Sequence, residues 1–427
     1  MSHDYVGKSW GDVPNEVKKQ LLSNAICLDI EHSCIASEGS CLVELKETLV
    51  VPGELIDGKI VIDNNAELYN PIIRDLNDDL FTEPDDEVYK KYERHMKNRP
   101  HVVLLGAGAS MAALPNGDKN GRKISAMSGF IQKLGMEGVL SSINLKTKSD
   151  NLEDIYMEMY DRDDCTQARL NLEERIYNYF VDFVIPDGPT VYDFLMLSLT
   201  RKDLIASFNW DPLLVQAYLR CVKITDNLPQ LAFLHGNVAV GFCDSCNVMG
   251  TTFMECPHCG KHLMPVKLLY PIRNKDYASI KAVEKSWKSL QNALEVAYMV
   301  TIFGYSAPKS DAAAIAMLKQ AWGNVTDRKF EEIEIIDIRN EDDVVKSWEN
   351  FIHTHHYSVH NSFFKSTLSH CPRRSCEATF DRLMNCRWLQ AGRGYNESMN
   401  FDDIKMLLKS LIIEEKNNSG MLSDPYI

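Results

Sequence analysis

The chain lacks the sequence patterns that mark membrane-spanning and secreted proteins. Its 427 residues contain no uninterrupted apolar run of about 18 residues, the length that a membrane-spanning helix needs. The first twenty residues, MSHDYVGKSWGDVPNEVKKQ, have no apolar segment after a basic start and therefore do not fit a secretion signal. We expect a cytoplasmic protein that has no membrane partner.

Basic residues are scarce relative to acidic ones. The chain has 46 lysines and arginines against 60 aspartates and glutamates, which gives a net charge of −14. A surface of this sign repels nucleic acid and anionic lipid, so direct nucleic-acid binding is not expected. The 12 cysteines, in a reducing compartment, are predicted to be free thiols or metal ligands instead of disulfides.

The middle of the chain alternates short apolar runs with helical patterns. Each run is bounded by glycine, asparagine or aspartate, as buried strands are. The runs are HVVLLG, DLIASFN, LAFLHG, AYMVTIFGYS and EIEIIDI. Strands that alternate with helices favour an α/β fold with a mainly parallel sheet, which binds ligands at the carboxyl ends of its strands.

The remaining segments are predicted to be additions to this core. Residues 1–98 form an N-terminal extension with a short helix over 15–30 and a strand-rich patch over 48–69, followed by an acidic helical linker. A helical insertion covers about 121–203, and residues 346–427 form a C-terminal extension. Its histidine-rich segment, HTHHYSVHNSFF, is more typical of a polar surface or an interface than of a metal site. Cys27, Cys34 and Cys41 lie seven residues apart, which matches no common zinc pattern.

One strand runs directly into a glycine loop. The segment VVLLGAGAS, residues 102–110, places Gly106 and Gly108 where backbone N–H groups can approach a diphosphate at the start of a helix. Met111 occupies the position at which a third glycine would complete the dinucleotide-binding fingerprint. Taken alone, the loop fits a tight strand-to-helix turn almost as well.

Four cysteines form the most specific motif of the sequence. CDSCNVMGTTFMECPHC contains Cys243-x-x-Cys246 and, after nine intervening residues, Cys256-x-x-Cys259. Two such pairs at this spacing can close a tetrahedral zinc site of four thiolates. Four protein ligands leave no open coordination position, so the predicted metal is structural. A small zinc ribbon is therefore expected at about 240–266.

Polar residues follow three further predicted strands. Asn209 and Asp211 end one, His235 and Gly236 end another, and GYSAPKSD, from Gly304 through Ser306 to Asp311, ends a third. Each has an ordinary alternative: a strand-end cap, a satisfied polar histidine, or a plain turn. Asp211 precedes a proline and also fits the start of the helix PLLVQAY.

The order of these motifs resembles the sirtuin family, and the resemblance covers about 99–345. It implies a Rossmann-type NAD-binding domain with a zinc ribbon beside it. Residue by residue, it implies that Gly106, Ala107, Gly108 and Ser110 hold the NAD diphosphate. It places Asn209 and Asp211 at the nicotinamide ribose, His235 as the catalytic histidine, Gly304 and Ser306 at the adenosine side, and Asp337 at the adenine ribose.

Two departures from the protein deacylases of that family change the implied function. The loop continues as GASMAALPNGDKNGRKI, without the deacylase Phe-Arg pair, and VKLLYPIRNKDY replaces the Phe-Gly-Glu segment that pairs with the peptide. This pattern looks like the bacterial antiviral branch of sirtuin-like proteins, which hydrolyse NAD. That branch implies a homo-oligomer and, in some members, a HerA-type hexameric ATPase partner.

The resemblance thus implies an NAD glycohydrolase that converts NAD and water to ADP-ribose and nicotinamide. Asn209 would orient the ribose or the attacking water, and His235 would accept a proton near neutral pH. Asp211 would fix the loop or complement the positive charge of the transition state. Two alternatives stay open at this point: an NAD-dependent protein-lysine deacylase, and a non-catalytic module that senses NAD or ADP-ribose.

Overall fold

The structure is a computed structural model that describes most of the chain beyond residue 98. Side chains and backbone are described for residues 99–125, 129–272, 276–308, 311–324, 328, 331–349, 351–352, 356–383 and 394–417, and the backbone also for 384–385. The chain divides into two compact units, Met1–Arg94 and His95–Ile427. Among the described residues, no helix has both the length and the apolar character needed to cross a bilayer.

In the first unit only the strands are described. They form an antiparallel meander in the order β1-β2-β3-β4-β5. The strands are β1 (Ala25–Asp29), β2 (His32–Ser37), β3 (Ser40–Leu45), β4 (Leu49–Ile56) and β5 (Lys59–Ile62). The helix predicted over 15–30 is wrong for its last residues, because β1 occupies them and pairs with β2. The rest of that helix, the acidic linker and the side chains of the three early cysteines lie outside the described residues.

A six-stranded parallel sheet organises the second unit, which confirms the predicted fold class. Its strands are β6 (His101–Leu105), β7 (Leu204–Ser207), β8 (Gln230–Phe233), β12 (Met299–Phe303), β13 (Glu332–Ile336) and β14 (Tyr357–His360). The order across the sheet is β14-β13-β12-β6-β7-β8, and every neighbouring pair is parallel. β6, β12 and β13 are buried along their whole length, as apolar parallel strands covered on both faces are.

The strand order creates a binding crevice at a defined place. From β6 the chain first builds outward through β7 and β8, and then returns to place β12 on the other side of β6. This is the order of doubly wound dinucleotide-binding sheets, in which the ligand lies at the carboxyl ends of the two strands where the direction reverses. Those two strands are β6 and β12, and they end at the glycine loop and at Gly304.

Helices fill the connections of the sheet. The first follows β6, and five lie between residues 130 and 197, within the predicted insertion. They are α1 (Ala107–Ala113), α2 (Phe130–Lys133), α3 (Glu137–Ser142), α4 (Leu152–Tyr160), α5 (Thr166–Val181), α6 (Val191–Leu197), α7 (Leu213–Cys221), α8 (Lys281–Val296), α9 (Ala312–Trp322), α10 (Glu341–Trp348), α11 (Thr367–His370), α12 (Ser375–Asn385) and α13 (Phe401–Asn417). Trp287 of α8 shows how a helix is fixed to the sheet: it is 2% exposed and its Nε1 donates to Leu234 O at 3.1 Å.

Two further features complete the second unit. A three-stranded antiparallel sheet, in the order β10-β9-β11, is formed by β9 (Val240–Cys243), β10 (Val248–Thr251) and β11 (Met264–Pro265) and carries the cysteine pairs. The histidine-rich segment near residue 356, for which no strand was predicted, supplies the half-buried strand β14, which pairs with β13. The sixth strand of the main sheet therefore comes from beyond the predicted domain boundary at 345.

Candidate functional site

A cavity of about 910 Å³ opens at the carboxyl ends of the parallel strands. Every residue that the sequence assigned to catalysis or to NAD binding lines it: Gly106, Ala107, Gly108, Ser110, Asn209, Asp211, His235, Gly304, Ser306 and Asp337. The helical insertion adds Asn151, Glu153, Phe180 and Val191, and the C-terminal segment adds Asn361, Phe364 and Glu397. The structure thus brings the predicted residues together around one cavity.

The glycine loop and the turn after β12 are packed backbone against backbone. The N–H of Gly106 donates to Phe303 O at 3.0 Å, and the N–H of Gly108 donates to Gly304 O at 2.9 Å. A Cβ atom on Gly106 would lie 2.5 Å from Tyr305 Cα, and Gly304 has a positive φ of 61°. Glycine is needed here because two loops meet at the switch point of the sheet, with no room for a side chain between them.

Asn209 has a fixed orientation at the end of β7. Its Nδ2 donates to Gly106 O at 2.7 Å and to Ser110 Oγ at 2.9 Å, and it lies 3.2 Å from the hydroxyl of Tyr192. A backbone carbonyl can only accept a hydrogen bond, so the nitrogen of the amide must face Gly106. The carbonyl oxygen Oδ1 is then the end of the amide left for a ligand in the cavity.

Asp211 is buried and fixes the loop that carries Asn209. Its Oδ2 accepts from Ser110 Oγ at 2.6 Å, and its Oδ1 accepts from the N–H of Leu213 at 3.1 Å, at the start of α7. Burial raises the pKa of the Asp211 carboxyl above its usual range. Both oxygens bind protein groups, so the contacts favour the loop-fixing role over direct charge complementation.

Asn237 joins this loop to the histidine loop. Its Nδ2 donates to Asp211 O at 2.6 Å and to Asn209 O at 3.3 Å, while its Oδ1 accepts from the N–H of Ala239 at 2.9 Å. The residue is 1% exposed. One buried amide therefore links the loop after β7 to the loop after β8.

His235 lies in an aromatic pocket beside a carboxylate. Its ring meets Phe208 edge to face at 5.0 Å and lies parallel to Tyr277 at 6.2 Å. Its Nε2 is 3.7 Å from Asp311 Oδ1, and Asp311 Oδ2 accepts from Tyr305 OH at 2.7 Å. A histidine next to a carboxylate that is itself held in place can accept a proton, because the carboxylate stabilises the imidazolium.

Asp337 lies at the other end of the cavity, after β13. Arg339 makes a salt bridge with it at 2.8 Å, and the N–H of Asp337 donates to His360 O of β14 at 2.9 Å. Arg339 is the only lysine or arginine among the described residues that line the cavity. The N–H groups of Gly106 and Gly108 already donate to backbone carbonyl oxygens, so an anionic ligand has to be held by other backbone N–H groups and by polar side chains.

The four predicted zinc ligands converge in the small sheet. Their sulfur atoms all lie within 4.8 Å of one another, and Cys243 Sγ is 3.6 Å from Cys259 Sγ. Tetrahedral zinc with Zn–S bonds of about 2.3 Å would place its sulfurs about 3.8 Å apart, so the cluster fits the metal. The backbone N–H of His258 lowers the pKa of Cys256 to about 6, while the neighbouring thiol of Cys259 raises the pKa of Cys246 to about 12.

The stretch after the small sheet is covered by the helical insertion. The N–H of Leu269 donates to His235 O at 2.8 Å, so this stretch runs beside the candidate catalytic histidine. Tyr270 stacks on Tyr156 of α4 at 5.1 Å and donates to Glu173 O of α5 at 3.2 Å. Helices α4 and α5 of the insertion therefore pack on the side of this stretch from which the Tyr270 side chain projects.

Sequence reasoning missed three residues of this arrangement. Asp311 stands out in the sequence only as part of a turn, and Asn237 does not stand out at all, although it follows His235 by two positions. Tyr192 could not have been found, because it sits in an apolar helical pattern and nothing in its neighbours marks it as a partner of Asn209.

In comparisons with known proteins, no family model and no curated protein matches the chain. Solved structures of Sir2 homologues do match. A Sir2 homologue–NAD complex is 14% identical, with 71% of this chain and 96% of its own covered and a TM-score of 0.29. A mutant Sir2 homologue with ADP-ribose is 15% identical (60% and 86% covered, TM-score 0.27), and Sir2 bound to an acetylated peptide is 14% identical (60% and 94%, TM-score 0.29). Because these TM-scores are low, the assignment of the fold class rests on the strand order of this chain.

Proposed function

We propose that the chain is an NAD glycohydrolase of the sirtuin-like type. The observation that carries this proposal is the convergence of an oriented amide, a carboxylate-paired histidine and the glycine loop on one cavity at the switch point of the sheet. The crevice is where doubly wound sheets bind dinucleotides. Its volume of about 910 Å³ lies within the range of cofactor sites.

The proposed pose follows from the chemistry along the cavity. The glycine loop at the start of α1 would hold the diphosphate, and Asp337 would accept from the hydroxyls of the adenine ribose. The nicotinamide ribose would then lie between Asn209 and His235. In this pose the cleaved bond lies at the end of the cavity that the insertion covers.

The proposed reaction breaks the bond between ribose C1′ and the nicotinamide nitrogen. The bonding electron pair returns to the pyridinium ring, so nicotinamide leaves neutral and needs no acid. Water forms the new bond to C1′ through an oxocarbenium-like transition state, and His235 accepts the proton that the water loses. Oδ1 of Asn209 would accept a hydrogen bond from this water or from a ribose hydroxyl.

The covered stretch favours hydrolysis over deacylation. A deacylase needs an open strand edge on which the acylated peptide pairs, and here Tyr270 packs against helices α4 and α5. A non-catalytic sensor would need the binding loop but not the pairing of His235 with Asp311. Deacylation is therefore our second candidate, and the sensor our third.

The biological setting is also part of the proposal. An unrestrained NAD hydrolase would deplete its own host, so an antiviral role requires restraint by an oligomer or a partner such as a HerA-type ATPase. The structural cluster of Cys243, Cys246, Cys256 and Cys259 would hold zinc and fix the small sheet beside the site.

Product analysis tests this proposal. The purified chain, alone and with a HerA-type ATPase, is incubated with NAD, and nicotinamide, ADP-ribose and O-acetyl-ADP-ribose are quantified with and without an acetylated peptide. Equal amounts of nicotinamide and ADP-ribose, independent of peptide, are expected. Peptide-dependent O-acetyl-ADP-ribose would establish the deacylase instead, and tight NAD binding with no product under any condition would establish the sensor.

A further inference from the structure

Tyr192 connects the helical insertion to the candidate catalytic amide. It is the second residue of α6 and is 1% exposed, yet its hydroxyl lies 2.7 Å from Ser110 Oγ and 3.2 Å from Asn209 Nδ2. A buried tyrosine hydroxyl needs a hydrogen-bond partner, and both partners of this one line the cavity.

The direction of each hydrogen bond follows from donor and acceptor counting. The Ser110 hydroxyl has one proton and can donate one hydrogen bond, and it donates this bond to Asp211 Oδ2 at 2.6 Å. Ser110 Oγ must then accept from both Asn209 and Tyr192. Burial and the nearby charge of Asp211 raise the pKa of Tyr192, so the phenol stays protonated. Its O–H group is then the hydrogen-bond donor to Ser110 Oγ.

The position of Tyr192 is itself fixed. α6 begins with a capping box in which the N–H of Thr190 donates to Asp193 Oδ2 at 2.7 Å. Arg220 of α7 forms an ion pair with the same carboxylate. α7 is the helix that starts two residues after Asp211, so the tyrosine and the Asn209 loop are anchored to the same pair of helices.

We infer that Tyr192 is a positioning residue for NAD cleavage: its hydroxyl holds Ser110 and Asn209 so that the Asn209 carbonyl oxygen faces the ribose. This inference rests on the proposed function. Without the hydroxyl, Ser110 Oγ loses a donor and Asn209 Nδ2 loses one of its three acceptors. The amide then samples orientations in which Oδ1 no longer meets the substrate, while the diphosphate contacts of the loop stay in place.

The test compares Tyr192→Phe with Tyr156→Phe. Tyr156 is a matched control, because it is also a buried tyrosine of the insertion, 2% exposed, and its hydroxyl donates to Glu173 Oε1 at 2.6 Å away from the cavity. Each variant loses one hydroxyl and keeps its ring; Tyr192→Phe loses the contacts to Ser110 and Asn209, and Tyr156→Phe loses the contact to Glu173. kcat and KM are measured from nicotinamide release, under the conditions, with or without a partner, in which the unmodified chain is active. Crystal structures of both variants give the position of the Asn209 amide.

We expect Tyr192→Phe to have a kcat about five- to tenfold below that of Tyr156→Phe, as the loss of the hydroxyl's neutral hydrogen bonds to Ser110 and Asn209 predicts, with KM within about twofold. In its crystal structure the Asn209 amide should leave Gly106 O. Equal turnover of the two variants, or an Asn209 amide that keeps its 2.7 Å contact in Tyr192→Phe, overturns the inference. If the unmodified chain never releases nicotinamide, the proposed function fails, and the crystal comparison still decides whether Tyr192 positions Asn209.

Discussion

Gly304 offers the sharpest structural test of the binding crevice. A Cβ atom added there would lie 2.3 Å from Ala109 N, 2.5 Å from Gly108 C and 2.6 Å from Gly108 Cα, all backbone atoms that cannot rotate away. Real Cβ atoms essentially never approach closer than 3.0 Å. In Gly304→Ala the glycine loop and the turn after β12 must therefore separate by at least 3.0 − 2.3 = 0.7 Å.

Gly304→Ala is expected to lower both the folding stability and the affinity for ADP-ribose. Alanine at a positive φ costs about 1–3 kcal/mol of folding stability, depending on ψ. Separation of the two loops also removes the hydrogen bond from Gly108 N to Gly304 O, worth about 1 kcal/mol. Because displacement of a binding group by about 1 Å can cost about 10²-fold, we expect ADP-ribose to bind about 10- to 100-fold more weakly.

Gly323→Ala is the matched control. Gly323 also has a positive φ, of 84°, but a Cβ atom there meets no atom within 4 Å. Calorimetric titration with ADP-ribose, which avoids turnover, measures affinity, and thermal unfolding measures stability. Both variants should lose stability, and only Gly304→Ala should lose affinity. If the two variants bind ADP-ribose equally well, the crevice between β6 and β12 is not the ligand site.

Three further outcomes are expected. Asn209→Ala should lower kcat about 10²- to 10³-fold and leave KM within a few-fold, measured by nicotinamide release; an equal loss of NAD affinity would contradict a transition-state role. Cys243→Ser should lose its zinc, measured by metal analysis, and unfold at a lower temperature, and a fully active, equally stable variant would refute a structural metal. Burial lowers the pKa of His101 to about 4, so the free energy of unfolding should fall by about 2–3 kcal/mol between pH 6.5 and 4.5 through this group, because the unfolded chain binds the proton that the folded chain excludes. Urea unfolding of His101→Gln should lack that component, and an unchanged pH dependence would show that His101 does not cause it.

The local pattern of the chain determined the class of the fold. Each predicted strand of the main sheet is observed, since a run such as HVVLL, which is bounded by a turn residue and is shorter than a typical buried helix, fits a buried strand. The cysteine spacing predicted the cluster of Cys243 and its three partners, because two Cys-x-x-Cys turns bring sulfurs together wherever the intervening hairpin forms. The failures were local as well: β1 replaced the end of a predicted helix, and no strand was predicted where β14 forms.

Only the tertiary structure decided which side chains meet. Asp311 lies 76 positions after His235 and Tyr192 lies 17 positions before Asn209, and no periodicity links either pair. Their contacts depend on the order in which parallel strands are laid beside β6, and on helices that fold back over the strand ends. A sequence specifies periodicity and spacing over a few turns, whereas a site at a switch point is assembled from loops whose separation in the chain is unrelated to their distance in space.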